Sequence, residues 1–479
     1  MEDLFRLVKA LNKREIALIR AIYNVKSNGE EKLRSQLFET LLDGKLKESR
    51  QIIAYLNYTG SISSFSHLKR RLRTDILNII LLQETHKKVR AKLFAQSIEV
   101  KKSLLFAELL YRRGLTEIGD HIIDEGIKVS ENYEFIPESY LLTDLQRMRH
   151  GITKGPKVIR GFNEKINSYL DFINSNSYAV NLFYEFTVRN FQKSNLDFEE
   201  IEKNENYLIK LQNNYEKYPY SRNGYWYHRA GIFYYNHIMD FQKSSEHGNK
   251  LLKLIEESPA LYNPVVYAGT LKEIGEITLT GGNFTKAVEF FSKSLTLFNP
   301  SLNNYLLTLE ALTIAYVRSN KLDEAKKIIN QAKIHPNYIN NKQIKARWSY
   351  FEASLAFLEG NYHNSDLSLK LYSNILLNDK GELQFYYRIL YLYISYKLER
   401  FELIEYEIQS FNRAIKKVKN FKIKRFIWIL KIFSKIIKNN FEIDKNIELY
   451  TKRKNDKDHK LNYIGIELVT FEYFIDNNS

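Results

Sequence analysis

Apolar residues recur at three- and four-residue spacing along most of the chain, and between Leu271 and Ala332 the pattern repeats as two successive helix-turn-helix units. In the first, Leu271, Ile274, Gly275 and Thr278 share a helix face, Gly281-Gly282-Asn283 break it, and Phe284, Ala287, Phe291 and Ser294 mark a second helix. In the next, Leu309, Leu312, Thr313 and Tyr316 precede Ser319-Asn320, and Leu322, Ala325, Ile329 and Ala332 follow. A small residue on each helix lets the pair cross closely, and a large residue one turn later fills the gap.

The same frame extends in both directions. Downstream, Trp348, Glu352, Ala353 and Ala356 precede Gly360-Asn361-Tyr362, and Ser365, Leu369 and Tyr372 follow. Leu392 and Ser395 then precede Phe401, Ile404 and Ile408. Upstream, His228, Gly231, Ile232 and Tyr235 precede Phe241, Ser244 and Leu251. The second-helix anchors at 244, 287, 325, 365 and 404 are separated by 43, 38, 40 and 39 residues. This resembles the tetratricopeptide (TPR) repeat, a helix-turn-helix unit of about 34 residues. Extra residues in the connections, such as Asn299-Pro300 and His335-Pro336, account for the longer spacing. The resemblance covers residues 221–415 and, loosely, 100–130. It implies an all-α, right-handed superhelical solenoid of stacked helical hairpins, with a helical region before it, because single repeats cannot bury their apolar faces alone.

Before the repeats, residues from Leu4 to about Tyr58 read as three short helices, with Asn12 capping the one that carries Ile16, Ile19 and Ile22. A strong stripe follows at Phe65, Leu68, Leu72, Ile76 and Ile79. Turn residues Gly151 to Pro156 suggest a boundary, and Lys157 to about Ser177 and Ala179 to Phe191 read as two long bridging helices. The expected organisation is a helical region at 1–150, bridging helices at 151–220, the array at 221–415, and a capping helix and tail at 416–479. The final stretch, Ile464 to Phe474, reads as a last helix or an edge strand. The N-terminal part is similar to repeat proteins of AT-rich bacteria such as Bacteroidota.

Composition narrows the chemistry. Of 479 residues 44% are apolar and only 7 are Pro, which favours long helices in a folded chain. No apolar run approaches the roughly 20 residues that span a bilayer, and Met1-Glu2-Asp3 does not open a signal peptide, so a cytoplasmic location is expected. The absence of Cys excludes disulfides, thiolate catalysis and Cys-based metal sites. A net charge of +16 permits nucleic-acid or acidic partners, although enrichment in Lys, Asn, Ile, Phe and Tyr together also follows from AT-rich coding.

No G-x-S-x-G, phosphate-cradling glycine loop, H-E-x-x-H or calcium-loop spacing occurs, so no enzyme activity, cofactor or metal is expected. The closest histidines, His228, His237 and His247, lack i, i+4 ligand spacing. Binding is the expected role. In TPR-like arrays the first helix of each pair lines the concave face, which implies Trp226, Arg229, Phe233 and His237, then Lys272 and Glu276. Later units add Glu310 and Arg318, Arg347 and Tyr350, and Tyr386, Tyr393 and Lys397. Mixed aromatic and basic side chains suit an extended or helical peptide with acidic groups. The family's carboxylate clamp, Lys and Asn one turn apart, is absent: the matching pairs are Arg229 with Phe233, Lys272 with Glu276 and Glu310 with Ile314. A second reading is a bacterial transcriptional regulator that holds DNA through Lys69, Arg70, Arg71, Arg73, Lys87, Lys88 and Arg90, with the repeats sensing a peptide. Against it, no turn of the usual helix-turn-helix length precedes that helix.

Overall fold

A computed structural model describes residues 1–25, 29–46, 48–84, 92–151, 154–192, 198–238, 240–379, 381–416, 423–443 and 465–477. Among these every regular element is an α-helix. The chain divides into two compact units, Met1–Asn163 and Glu164–Ser479.

The first unit contains α1 (Glu2–Lys9), α2 (Lys13–Val25), α3 (Glu30–Asp43), α4 (Ser49–Tyr55), α5 (Ile62–Glu84), α6 (Lys92–Arg112), α7 (Thr116–Asn132) and α8 (Ile136–His150). Helices α1 to α5 close over a core of Val8, Ile19, Leu37, Phe38, Ile52, Phe65, Leu72 and Ile76. Asn12 caps α2 as the sequence suggested: its side-chain oxygen accepts from the Arg14 and Glu15 amides, and Glu15 reaches back to the Asn12 amide at 2.8 Å. Helix α1 is a fourth helix where the apolar spacing predicts three. It buries only Leu4 and Val8, too short a stripe to stand out as a period.

Helix α9 (Pro156–Gln192) runs unbroken through the stretch expected to form two helices. Ser175-Asn176-Ser177 contains neither Gly nor Pro, and Ser175 turns its hydroxyl onto the Phe172 carbonyl. The second unit continues with α10 (Phe198–Lys217), α11 (Ser221–His237), α12 (Phe241–Glu257), α13 (Pro264–Thr280), α14 (Phe284–Leu297), α15 (Asn303–Arg318) and α16 (Leu322–Lys333). Then come α17 (Pro336–Asn340), α18 (Lys342–Leu358), α19 (Tyr362–Lys370), α20 (Ser373–Leu377), α21 (Leu383–Lys397), α22 (Phe401–Ile415), α23 (Ile423–Lys438) and α24 (Phe471–Asp476). The pairs α11/α12, α13/α14, α15/α16, α18/α19 and α21/α22 are hairpins, and each second helix also packs on the first helix of the next pair. The short helices α17 and α20 sit between hairpins and absorb the residues by which these repeats exceed 34.

One turn recurs in each hairpin. After α13 the Asn283 amide reaches back to the Thr278 carbonyl at 3.0 Å, and the equivalent bonds are Lys321 to Tyr316, Asn361 to Ala356 and Arg400 to Ser395. This closure needs a left-handed residue, supplied by Gly282 and Gly360 and, at strain, by Asn320 and Glu399. Asp240, Asn283 and Asn361 then cap the second helices. Close crossing also has a visible cause: a Cβ on Gly275 would lie 2.6 Å from the Phe291 ring. The chain is thus an all-α, TPR-like array of stacked helical hairpins preceded by a helical region.

Candidate peptide-binding site

The side chains expected along the first helices fall into two groups. Upstream, Trp226, Arg229, Phe233 and Glu276 converge on one open cleft of about 480 Å³ between α9, α11 and α13. Phe183, Tyr184 and Thr187 of α9 form its opposite wall. The Trp226 ring lies 5.0 Å from Phe183 and 4.9 Å from Tyr225, while Phe233 meets Phe186 edge-on. Phe186 is buried, but Phe183, Tyr225, Trp226 and Phe233 are half-buried and Tyr184 is 56% exposed, so an apolar face remains open to solvent.

The charges of the cleft are balanced within it. Arg229 donates to the Tyr225 hydroxyl at 2.6 Å and to Glu273 at 2.9 Å, tying α11 to α13. Lys272 pairs with Glu276 one turn along α13. Enclosure by neighbouring helices raises the Glu276 carboxyl above the ordinary range, against the pull of Lys272. Further along, Arg347 forms a two-pronged pair with Glu310, joining α18 to α15. The cations expected to meet an acidic peptide therefore already hold carboxylates of the array. His237 ends α11, and its side chain lies outside the described residues.

Downstream, the expected residues are covered. Tyr350, Tyr386 and Tyr393 are 2%, 2% and 0% exposed: residues 465–477 lie against Tyr350 and Tyr393, and α23 lies against Tyr386. The Tyr350 hydroxyl donates to the Ile466 carbonyl at 3.0 Å, and burial raises its pKa. Tyr393 stacks on Phe474 at 4.4 Å, and Tyr386 meets Phe426 edge-on. Arg318 donates to the Glu467 carbonyl at 2.8 Å, and burial lowers its pKa. Lys397 reaches the Asn477 carbonyl at 3.4 Å, its pKa lowered in the same way. For Tyr350, Tyr386 and Tyr393 an open groove position is thus corrected to a buried one.

On α5, Arg70, Arg71 and Arg73 are exposed and Lys69 lies over the Phe65 ring at 5.6 Å. Lys87, Lys88 and Arg90 lie outside the described residues. The segment from Leu56 to Ser61 that joins α4 to α5 is longer than a helix-turn-helix turn of 3–4 residues.

Histidine spacing along the chain does not signal a buried pair. His228 and His247 face each other across the α11/α12 hairpin with their Nδ1 atoms 3.2 Å apart, one donating and one accepting. Burial drives them down to about 3 and about 4, helped for His228 by His247 and Lys250 and for His247 by Lys250. Tyr215, Tyr227 and Tyr235 pack their rings around the pair. Among the described residues no three His, Asp or Glu gather as metal ligands, and no helix is long and apolar enough to cross a membrane.

No known protein family and no curated protein matches the chain. Among solved structures it is similar to a Signal Transduction ATPase with Numerous Domains protein with a tetratricopeptide repeat sensor, from Pyrococcus horikoshii. Identity is 15% and the TM-score 0.41, over 86% of this chain and 66% of that one, so the match spans just under two thirds of that protein's length.

Proposed function

We propose that this chain is a non-enzymatic interaction scaffold or adaptor whose array, residues 221–415 with α9 alongside, holds a peptide or protein segment in the cleft of Trp226, Arg229 and Phe233. The observation that supports this reading is the cleft itself: aromatic faces left open beside polar groups already fixed in place. A large apolar or aromatic side chain of the partner packs into the cleft on the exposed faces of Phe183, Trp226 and Phe233, and Glu273 and Glu276 accept hydrogen bonds from its neighbours. Because Arg229 and Tyr225 are held before binding, little side-chain ordering remains to oppose association.

The test is selection of a displayed random-peptide library on the full chain. Selected peptides should share an aromatic or large apolar anchor and lose at least about tenfold in affinity with Trp226→Ala or Phe233→Ala, a loss of ~1.4 kcal/mol or more. Equal affinity for both variants and the parent would remove the cleft from the account. The second reading, DNA binding through α5, draws on the exposed Arg70, Arg71 and Arg73. Duplex DNA retention that falls steeply with salt and disappears with Arg70→Ala plus Arg73→Ala would favour it instead.

A further inference from the structure

We propose that the first-helix face of the downstream hairpins is a binding site for a short acidic-aromatic helix, and that residues 465–477 are its tethered ligand. The inference concerns a different surface from the upstream cleft and stands without it.

The contacts have the form of peptide recognition. Side chains from three successive first helices grip main-chain carbonyls of one segment: Arg318 of α15 takes Glu467, Tyr350 of α18 takes Ile466, and Lys397 of α21 takes Asn477. Such bonds fix the register of a bound chain whatever its sequence. Selectivity comes from the side chains. Arg425 of α23 presents its fork to two carboxylates, Glu467 at 2.6 and 3.0 Å and Glu472 at 3.1 and 2.8 Å. Glu467 also accepts the Phe471 amide at 2.7 Å, and Thr470 caps the Tyr473 amide, so α24 is started by the residues that are recognised.

One turn apart, Phe471 and Phe474 enter an aromatic box. Trp428 meets Phe471 edge-on at 5.3 Å, Tyr396 meets Phe474 edge-on at 5.2 Å, and Tyr393 and Phe433 stack on Phe474. Leu468, Val469 and Ile475 are buried beside them. The pattern the site reads is therefore Glu, then Phe-Glu four and five residues on, then Phe three residues after the first Phe.

The experiment begins with the full chain, carrying a protease recognition sequence inserted between Ile443 and Gly465 so that the segment docks before it is cut. After cleavage the C-terminal fragment should remain bound through gel filtration. It should then exchange with an excess of a fluorescent peptide of residues 465–477, while helical circular dichroism and cooperative melting persist. A peptide with Phe474→Ala should bind about a hundredfold more weakly or worse. Two results would overturn the proposal. If the cut chain loses cooperative melting when the fragment leaves, the segment is a part of the fold rather than a ligand. If the cut chain stays folded but neither retains the fragment nor takes up the fluorescent peptide, the face has no affinity for it.

Discussion

The upstream and downstream parts of the array use the same kind of first-helix face to opposite ends. Around α11 and α13 aromatic rings stand half-buried, cations pair with carboxylates of neighbouring helices, and a cleft stays open. Around α18, α21 and α23 a similar density of rings is fully buried, and the cations reach the chain's own last residues. The difference teaches that an aromatic first-helix face is not in itself a sign of an open groove. What decides is whether a segment of suitable chemistry is tethered within reach.

Substitution should separate the two regions by what they disturb. The largest effect belongs downstream: Arg425→Ala leaves the buried Glu467 carboxylate without its partner and should cost ~3–5 kcal/mol of stability, measured by denaturant unfolding. A near-neutral result would mean that the pair is not buried in solution.

Acid should act on the upstream part. His228 and His247 are held near 3 and 4, below their ordinary 6.5, so the unfolded chain binds more protons between those values. Their contribution is whole above pH 6.5 and is lost progressively as pH falls towards 4 and 3. Each pH unit crossed in that window by a histidine protonated only when unfolded costs about 1.4 kcal/mol of stability. Replacing both with Gln should flatten that part of the stability profile, and an unchanged slope would dissociate the pair from acid sensitivity.

Smaller still, Trp226→Ala should shift the melting temperature by only a few degrees while abolishing capture of selected peptides, the reverse of the Arg425→Ala pattern. The smallest effect concerns the turns. Glu399 holds a left-handed conformation that the upstream turn assigns to Gly282, so Glu399→Gly should stabilise by ~0.5–1 kcal/mol in thermal melts. A destabilised variant would place the Glu399 side chain in a contact worth more than the relief of strain.

Much of the array was legible in the sequence. The five second-helix anchors Ser244, Ala287, Ala325, Ser365 and Ile404 are each 0% exposed, because a period of small and large residues is a local property that packing must obey. In the cleft, Trp226, Arg229, Phe233 and Glu276 followed from the same frame. Phe183, Tyr184 and Thr187 did not, although their spacing places them on one face of α9, since that helix lies outside the repeat frame that assigns a groove face. The cover on the downstream face left no periodic trace: Arg318 and Glu467 are 149 residues apart, and Tyr350 has the same sequence character bare or covered. Nor does i, i+4 reasoning find His228 and His247, which meet from the two arms of a hairpin.

The separation between Arg318 and Glu467 also sets an order of events in time. Hairpins closed by the recurring turn join residues near in sequence, whereas docking of Glu467 on Arg318 closes a loop of 149 residues at a larger entropic cost, so the hairpins are expected to form first. During synthesis α15, α18 and α21 leave the ribosome before residues 465–477 exist, so the rings of Tyr350 and Tyr393 are bare for an interval in every nascent chain. A chain stalled in that interval keeps these rings exposed, and exposed apolar surface of this kind promotes aggregation.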